Sequence, residues 1–420
     1  MIVRSTRGAA SASIGEAIAQ GLASDGGLYM PPQLPPSART WPDTLEACAL
    51  ELIAPLFADD PLAPHLPAIV REAFYFDAPT RWVDGRTGLL ELFHGPTAAF
   101  KDFGARFLAA TLARIARPGG KSTVLVATSG DTGAAVAAAF HRRPGFRVVI
   151  LYPDGRVSPR QAHQLGAFGD NVHAFRVAGT FDDCQRMVKA ALADRALVER
   201  HHLTSANSIS LGRLLPQMAY YAHASVSAVR SGHEAPNFIV PTGNLGNAFA
   251  CLLARERGLP IGRVMLATNA NRALVALAAT GRYEPAATVA TLANAMDVGA
   301  PSNAERLLAR FPQVRHAVDA DWVDDETILR SIHEAHTAHG LAICPHTACG
   351  MAVLDRLRKR GDEATWLVAA TAHPAKFDTV VEPIIGAPVP VPPALAALLA
   401  RPAHAAAMAP DTAALATALG

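Results

Sequence analysis

The sequence predicts an α/β protein of two parallel-sheet lobes, with an N-terminal cap and a cleft between the lobes. Two observations carry this. Short β-branched, apolar runs alternate with helix-length segments, the pattern of parallel strands covered on both faces. The alternation occurs twice, on either side of one long helical stretch at 211–229. A chain of 420 residues accommodates about two to three domains of ordinary size.

Residues 1–92 are Pro-rich and irregular, with helical patches at 13–23 and 43–57. They lack a strand–helix rhythm and are expected to form a cap packed on something else. Residues 93–210 are assigned to a smaller lobe. Strand 122–128 leads through a Gly-containing turn into an Ala-rich helix at 132–141. Strand 147–151, helix 159–168, strand 172–177 and helix 182–193 follow, the last capped by Thr180 or Asp182. Residues 211–395 are assigned to a larger lobe. Its alternation runs through strand 238–240, helix 247–257, strand 264–268 and a late buried strand at 366–370. Residues 396–420 form a tail, and the Ala-rich end from Pro392 onward is expected to be helical and frayed. Ligands of open α/β sheets bind at loops beyond the strand C-termini.

Composition narrows the classes. Half the residues are apolar and 18% are charged, which suits a globular chain with a large core. The net charge is only +2 and the basic residues are scattered, so neither a nucleic-acid footprint nor a membrane-surface patch is expected. No run reaches the roughly 18 apolar residues of a spanning helix. Arg4 and Arg7 precede the first acid, Glu16, but the segment is too short and too weakly amphipathic to favour a transit peptide. Five cysteines spread over the chain do not form a disulfide framework, which makes a reducing cytoplasm the expected setting.

Two segments carry chemistry. Phe238-Ile239-Val240-Pro241-Thr242-Gly243-Asn244-Leu245-Gly246-Asn247 runs from a strand through a Gly-punctuated turn into a helix. Such a turn lets successive N–H groups converge, and the helix start adds partial positive charge, so an anion is favoured there. The spacing fits neither a P-loop nor a dinucleotide fingerprint, and the same glycines also suit a plain turn. The second segment is Phe93-His94-Gly95-Pro96-Thr97-Ala98-Ala99-Phe100-Lys101-Asp102-Phe103. Of five lysines, Lys121, Lys189 and Lys359 fit a solvated surface. Lys101, between Phe100 and Phe103, fits a desolvated amine with a depressed pKa, as Schiff-base chemistry requires. Lys376 is its only rival, and is expected in a more polar setting past a strand end. A reactive lysine with a separate phosphate loop implies pyridoxal 5'-phosphate.

Together these segments resemble the threonine synthase family, in the branch typical of proteobacteria and fungi. The resemblance spans nearly the whole chain. It includes Arg4-Ser5-Thr6-Arg7-Gly8, Asp25-Gly26-Gly27-Leu28-Tyr29, Thr128-Ser129-Gly130-Asp131-Thr132-Gly133, Gly155-Arg156-Val157-Ser158-Pro159, Asn207-Ser208-Ile209 and Thr371-Ala372-His373-Pro374-Ala375-Lys376-Phe377. It implies a fold-type II, tryptophan synthase β-like architecture. It also implies conversion of O-phospho-L-homoserine and water to L-threonine and phosphate by γ-elimination and β-replacement, the last step of threonine biosynthesis. The partner is then a small-molecule substrate, and the chain a monomer or homodimer.

By that resemblance Lys101 is the Schiff-base lysine and the base at Cα and Cβ. Gly243, Asn244, Leu245, Gly246 and Asn247 cradle the cofactor phosphate, and Thr371 bonds the pyridine nitrogen. Ser129 and Thr132 grip the substrate carboxylate, while Asp131 meets the ring hydroxyl. An Asn usually stands at this last place in related enzymes, and an acid beside a phenolate is awkward. Ser208 and Arg213 correspond to substrate-phosphate ligands, although from spacing alone they also fit a helix cap and a surface arginine. Cys344 departs from the family, which commonly has an acid before Pro345-His346-Thr347. The rival activities are threonine dehydratase, an amino-phospholyase, or a catalytically silent homologue. His333, His336, His339, Cys344, His346 and Cys349 crowd one stretch, but the cysteines are not tightly paired and the histidines spread around a helix, so no metal is expected.

Overall fold

The computed structural model describes residues 1–35, 40–115 and 121–420. Two predominantly parallel sheets organise it. The smaller has five strands in the order Ala406–Met408, Val172–Val177, Phe146–Pro153, Ser122–Ala127, Leu203–Ser205, all parallel. The larger has six, in the order Asp319–Trp322, Val264–Thr268, Asn237–Pro241, Trp366–Ala370, Thr87–Glu91, Thr80–Asp84, with only the last antiparallel. Every residue of Ser122–Ala127, Asn237–Pro241, Val264–Thr268 and Trp366–Ala370 is buried. Helices on both faces explain why these strands read as continuous apolar runs rather than alternating ones.

The expected elements fall close to their places, and their ends follow capping chemistry. Thr180 caps the helix Phe181–Ala193 in a reciprocal box with Asp183. Ser158 does the same with Gln161 for Pro159–Gly166, and Pro159 occupies the first turn, where its missing N–H costs nothing. The long helix expected at 211–229 is interrupted. It divides into Leu211–Leu214, a 3-10 turn Leu215–Gln217 and Met218–Arg230. Pro216 cannot donate to the ladder and its ring crowds the preceding turn, which accounts for the break.

Two regions depart from expectation. The irregular N-terminal stretch contains an antiparallel sheet of Ser11–Ser13, Ile2–Ser5 and Tyr29–Met30. It also supplies the hairpin Thr80–Asp84 and Thr87–Glu91 to the larger sheet. Gly88 is what the packing there demands: a Cβ would lie 2.6 Å from Leu367 Cδ2 and 2.8 Å from Thr80 Cγ2. The tail is helical at Pro393–Leu399 and Thr412–Leu419, as expected, but it carries a strand between them and its end is anchored. Ala406–Met408 extends the smaller sheet, and Thr412–Leu419 packs on Phe181–Ala193 with Leu415 and Leu419 buried. The Arg147 guanidinium fixes this end by donating to the carbonyls of Ala418 and Leu419 at 2.8 and 2.7 Å. Among the described residues no helix is long and apolar enough to cross a membrane.

Candidate active site

The strand C-termini of both sheets face one cavity. Lys101, Ser129, Asp131, Thr132, Ser208, Arg213, Gly243, Asn244, Leu245, Gly246, Asn247 and Thr371 all line it, so every residue given a cofactor or substrate role by the resemblance converges there.

Lys101 opens the helix Lys101–Leu112, whose residues from Asp102 on are all buried except Arg106. The helix is seated by Gly104, where a Cβ would lie 2.5 Å from the Arg213 carbonyl oxygen. The loop before it is tied to the late strand: Phe100 N–H donates to Thr371 O at 2.9 Å and His373 N–H to Ala98 O at 3.0 Å. Thr97 is locked to Asp102 by its N–H at 2.9 Å and its hydroxyl at 2.7 Å. Lys101 Nζ lies 5.7 Å from the Phe100 ring centroid and has no hydrogen bond or ion pair among the described residues. Loss of bulk water pulls its ammonium down to about 8, with Asp131 opposing and Arg213 and Lys376 assisting.

The glycine loop forms as the sequence suggests. Leu245 adopts a left-handed φ of 66°, and the helix Gly246–Glu256 starts without a side-chain cap, leaving its first N–H groups facing the cavity. Gly243 passes so close to the 294–296 turn that a Cβ would meet Met296 Cα at 2.7 Å. The loop's own side chains brace it. Thr242 hydroxyl donates to Asn247 Oδ1 at 2.6 Å, Asn247 Nδ2 to Pro241 O at 2.9 Å, and Asn244 Nδ2 to Ser208 Oγ at 2.6 Å.

Arg213 is not a surface residue. It is 1% exposed, donates through Nη1 to Ala206 O, and leaves Nε unpartnered. Burial lowers its guanidinium to about 10, and no acid pairs with it among the described residues. A buried guanidinium without an acid partner is suited to meeting an anion. Asn207 Oδ1, also buried, likewise has no hydrogen-bond partner among the described residues.

Lys376 corrects the sequence expectation most sharply. Far from a polar setting, it is fully buried, with Nζ 2.7 Å from Asp131 Oδ1 and donating to Thr97 O at 2.9 Å. Burial would raise the Asp131 carboxyl, but Lys376 and Lys101 outweigh it and hold it below the usual range. Gln161 Nε2 also donates to Asp131 at 2.9 Å, filling the space where Gly130, at φ 130°, has no Cβ. The departure at Cys344 has a local account as well: it caps the helix Pro345–Lys359, its Sγ accepting from Thr347 N–H at 3.4 Å, a place an acid commonly fills.

Sequence reasoning missed Phe181, Gln185, Gln217 and Met296 on the cavity wall, and set His346 aside among the clustered histidines. His346 is buried there, its Nε2 accepting from Ala295 N–H at 3.0 Å, and burial lowers it to about 4. His333, His336 and His339 lie instead on the helix Asp325–His339, and no described group of three or more His, Cys, Asp or Glu is placed to hold a metal ion.

Comparison with known proteins adds the following. A family model described as pyridoxal-phosphate dependent enzyme matches residues 89–371. Models described as threonine synthase N terminus and threonine synthase, C-terminal match 3–74 and 347–418. The threonine synthase of Serratia marcescens is 40% identical over 398 residues, covering 91% of this chain and 90% of its own. The crystal structure of threonine synthase from Escherichia coli superimposes with a TM-score of 0.92 at 38% identity, covering 100% of this chain and 99% of that one. A PLP-bound threonine synthase from Brucella melitensis superimposes with a TM-score of 0.89 at 32% identity, covering 100% and 98%.

Proposed function

The chain belongs to the threonine synthase family of pyridoxal-phosphate-dependent enzymes, and on that premise we propose that it converts O-phospho-L-homoserine and water to L-threonine and phosphate in this cavity. One observation carries the assignment of roles. An unpaired, low-pKa Lys101 amine and an uncapped helix start at Gly246 face the same space.

The cavity suits the cofactor. The uncapped N–H groups at the start of Gly246–Glu256 match a phosphate, and Lys101 Nζ has no hydrogen-bond or ion-pair partner among the described residues. In this assignment Gly243, Asn244, Leu245, Gly246 and Asn247 hold the phosphate, Thr371 the ring nitrogen and Asp131 the ring hydroxyl side. When bound, pyridoxal phosphate supplies an aldehyde for an amine and a ring that accepts carbanion charge.

The chain's own groups do the rest. Lys101 is assigned the proton transfers at substrate Cα and Cβ, a task suited to an amine that titrates near the working pH. Ser129 and Thr132, beside the start of the helix Asp131–Phe140, bind the substrate carboxylate. Ser208 and Arg213 bind the substrate phosphate and orient the Cγ–O bond for departure, with Arg213 supplying charge already stripped of water. Once phosphate has left, Cγ takes up a proton to become the methyl group of threonine, and a water adds at Cβ. Two lobes, proposed at 93–210 and 211–395, are supported by the two separate sheets, although strands at 80–91 join the larger and the strand at 406–408 the smaller. A cytoplasmic setting is supported by five free cysteines, and a monomer or homodimer is proposed.

The test is the visible spectrum of the purified protein before and after O-phospho-L-homoserine, with phosphate, threonine and 2-oxobutyrate assayed together. A spectral shift with equal phosphate and threonine is expected, and both vanish in Lys101→Ala. Phosphate without threonine would instead indicate a phospholyase.

A further inference from the structure

Taking Lys101 as the reacting amine, as proposed above, we infer that Lys376 is a positioning residue: by pairing with Asp131 it keeps that carboxylate from forming an ion pair with Lys101 and offsets part of its charge at the amine. Lys376 Nζ reaches both sides of the reacting group. It lies 2.7 Å from Asp131 Oδ1, on the cavity wall, and donates at 2.9 Å to Thr97 O, in the loop that delivers Lys101. Both members of the pair are dry, at 0% and 3% side-chain exposure.

The position of Nζ is fixed from its own backbone outward. The Lys376 carbonyl accepts from Ser158 hydroxyl at 2.7 Å, and the Ala375 carbonyl from Arg160 Nη1 at 2.6 Å. Gln161 then holds the far side of the pair, donating to Asp131 while its Oε1 accepts from Asn294 Nδ2 at 2.9 Å. Lys376 and Gln161 thus both meet Asp131 at Oδ1.

The charges around Lys101 come from four elements. Asp131 starts one helix, Arg213 lies in Leu211–Leu214, Lys376 in the turn Pro374–Phe377 and His346 in Pro345–Lys359. Asp102, on Lys101's own helix, is turned to Thr97. A lone buried carboxylate beside Lys101 would favour the ammonium, the form that cannot attack an aldehyde. With Lys376 in place the pull of that acid is offset in part: burial lowers both Lys101 and His346, Asp131 opposes it, and Lys376 acts against Asp131 at each. It also answers the awkwardness of an acid where related enzymes carry an Asn: the Asp131–Lys376 pair is neutral as a unit.

The test uses full-length protein stripped of cofactor. The rate at which a visible band appears on adding pyridoxal phosphate is measured against pH, the cofactor's own titration being common to all variants. If wild type captures no more than Lys101→Ala, the assignment of Lys101 itself fails, independently of Lys376. Given capture, Lys376→Gln keeps a donor for Thr97 O but removes the charge, and its midpoint is expected about one pH unit or more above wild type. Combining it with Asp131→Asn restores the wild-type midpoint. A midpoint unmoved in K376Q, or raised and not restored in the double variant, overturns the proposal. Should K376Q not fold, Asp131→Asn alone decides: a midpoint at or below wild type is expected, and a rise overturns it.

Discussion

Replacing Gly243 with Ala tests how the cavity holds its cofactor. An added Cβ would sit 2.7 Å from Met296 Cα and 2.8 Å from its carbonyl oxygen, about 1 Å inside ordinary carbon contact. Met296 cannot retreat freely. Its N–H is bonded to Ala293 O at 2.9 Å, its carbonyl accepts from Val298 N–H at 2.8 Å, and the preceding Ala295 N–H is bonded to His346 at 3.0 Å. Gly243 must therefore give way, taking the N–H groups of the following loop out of register with a bound phosphate. Overpacking of this kind costs about 1–3 kcal/mol, which converts to about 5- to 150-fold weaker cofactor binding. Equilibrium dialysis against graded pyridoxal phosphate measures it, with Gly85→Ala as control because a Cβ there meets nothing within 4 Å. If G243A retains cofactor as tightly as G85A, the loop is not the phosphate cradle.

Arg213→Met is expected to raise KM for O-phospho-L-homoserine about 30-fold or more while the cofactor band persists, since truncating a buried charge that meets a partner charge costs about 2 kcal/mol or above. An unchanged KM removes Arg213 from the substrate site. His346, lowered from 6.5 to about 4, is neutral in the fold. Between those values the unfolded chain binds a proton that the folded chain does not, so stability falls as pH drops through this window, by about 3 kcal/mol in all. Thermal melts at pH 7 and 4.5 should show a smaller loss in His346→Gln; equal losses would place the acid sensitivity elsewhere. Cys344→Ala removes the cap of Pro345–Lys359 and should cost about 0.5–1 kcal/mol, read as a lowered melting temperature that Cys344→Ser does not reproduce.

What could be read from the chain was whatever neighbours in sequence decide. Apolar runs such as 122–127 and 366–370 announce strands covered on both faces, because no alternation is needed when neither face is wet. The Thr180 and Ser158 caps are likewise local, fixed by hydrogen bonds three residues long. The glycines of the 243–247 turn are visible in the sequence, but the need for Gly243 comes from the close approach of Met296. Lys101 stood out because aromatic neighbours and a scarcity of lysines are visible without a fold.

Tertiary structure decided what lies beneath those features. A short strand with an internal glycine, Thr87–Glu91, joins the larger sheet by pairing with Trp366–Ala370, and the tail strand Ala406–Met408 joins the smaller by meeting Val172–Val177. Arg213 and Lys376 have sequence surroundings that suit a surface, yet both are buried, since burial depends on which distant elements close over a side chain. Lys376 bonds a carbonyl 279 residues away and neutralises an acid on another helix. From sequence alone Lys101 could be chosen as the reactive amine. The charge balance that keeps it reactive comes from contacts that exist only once both lobes are packed.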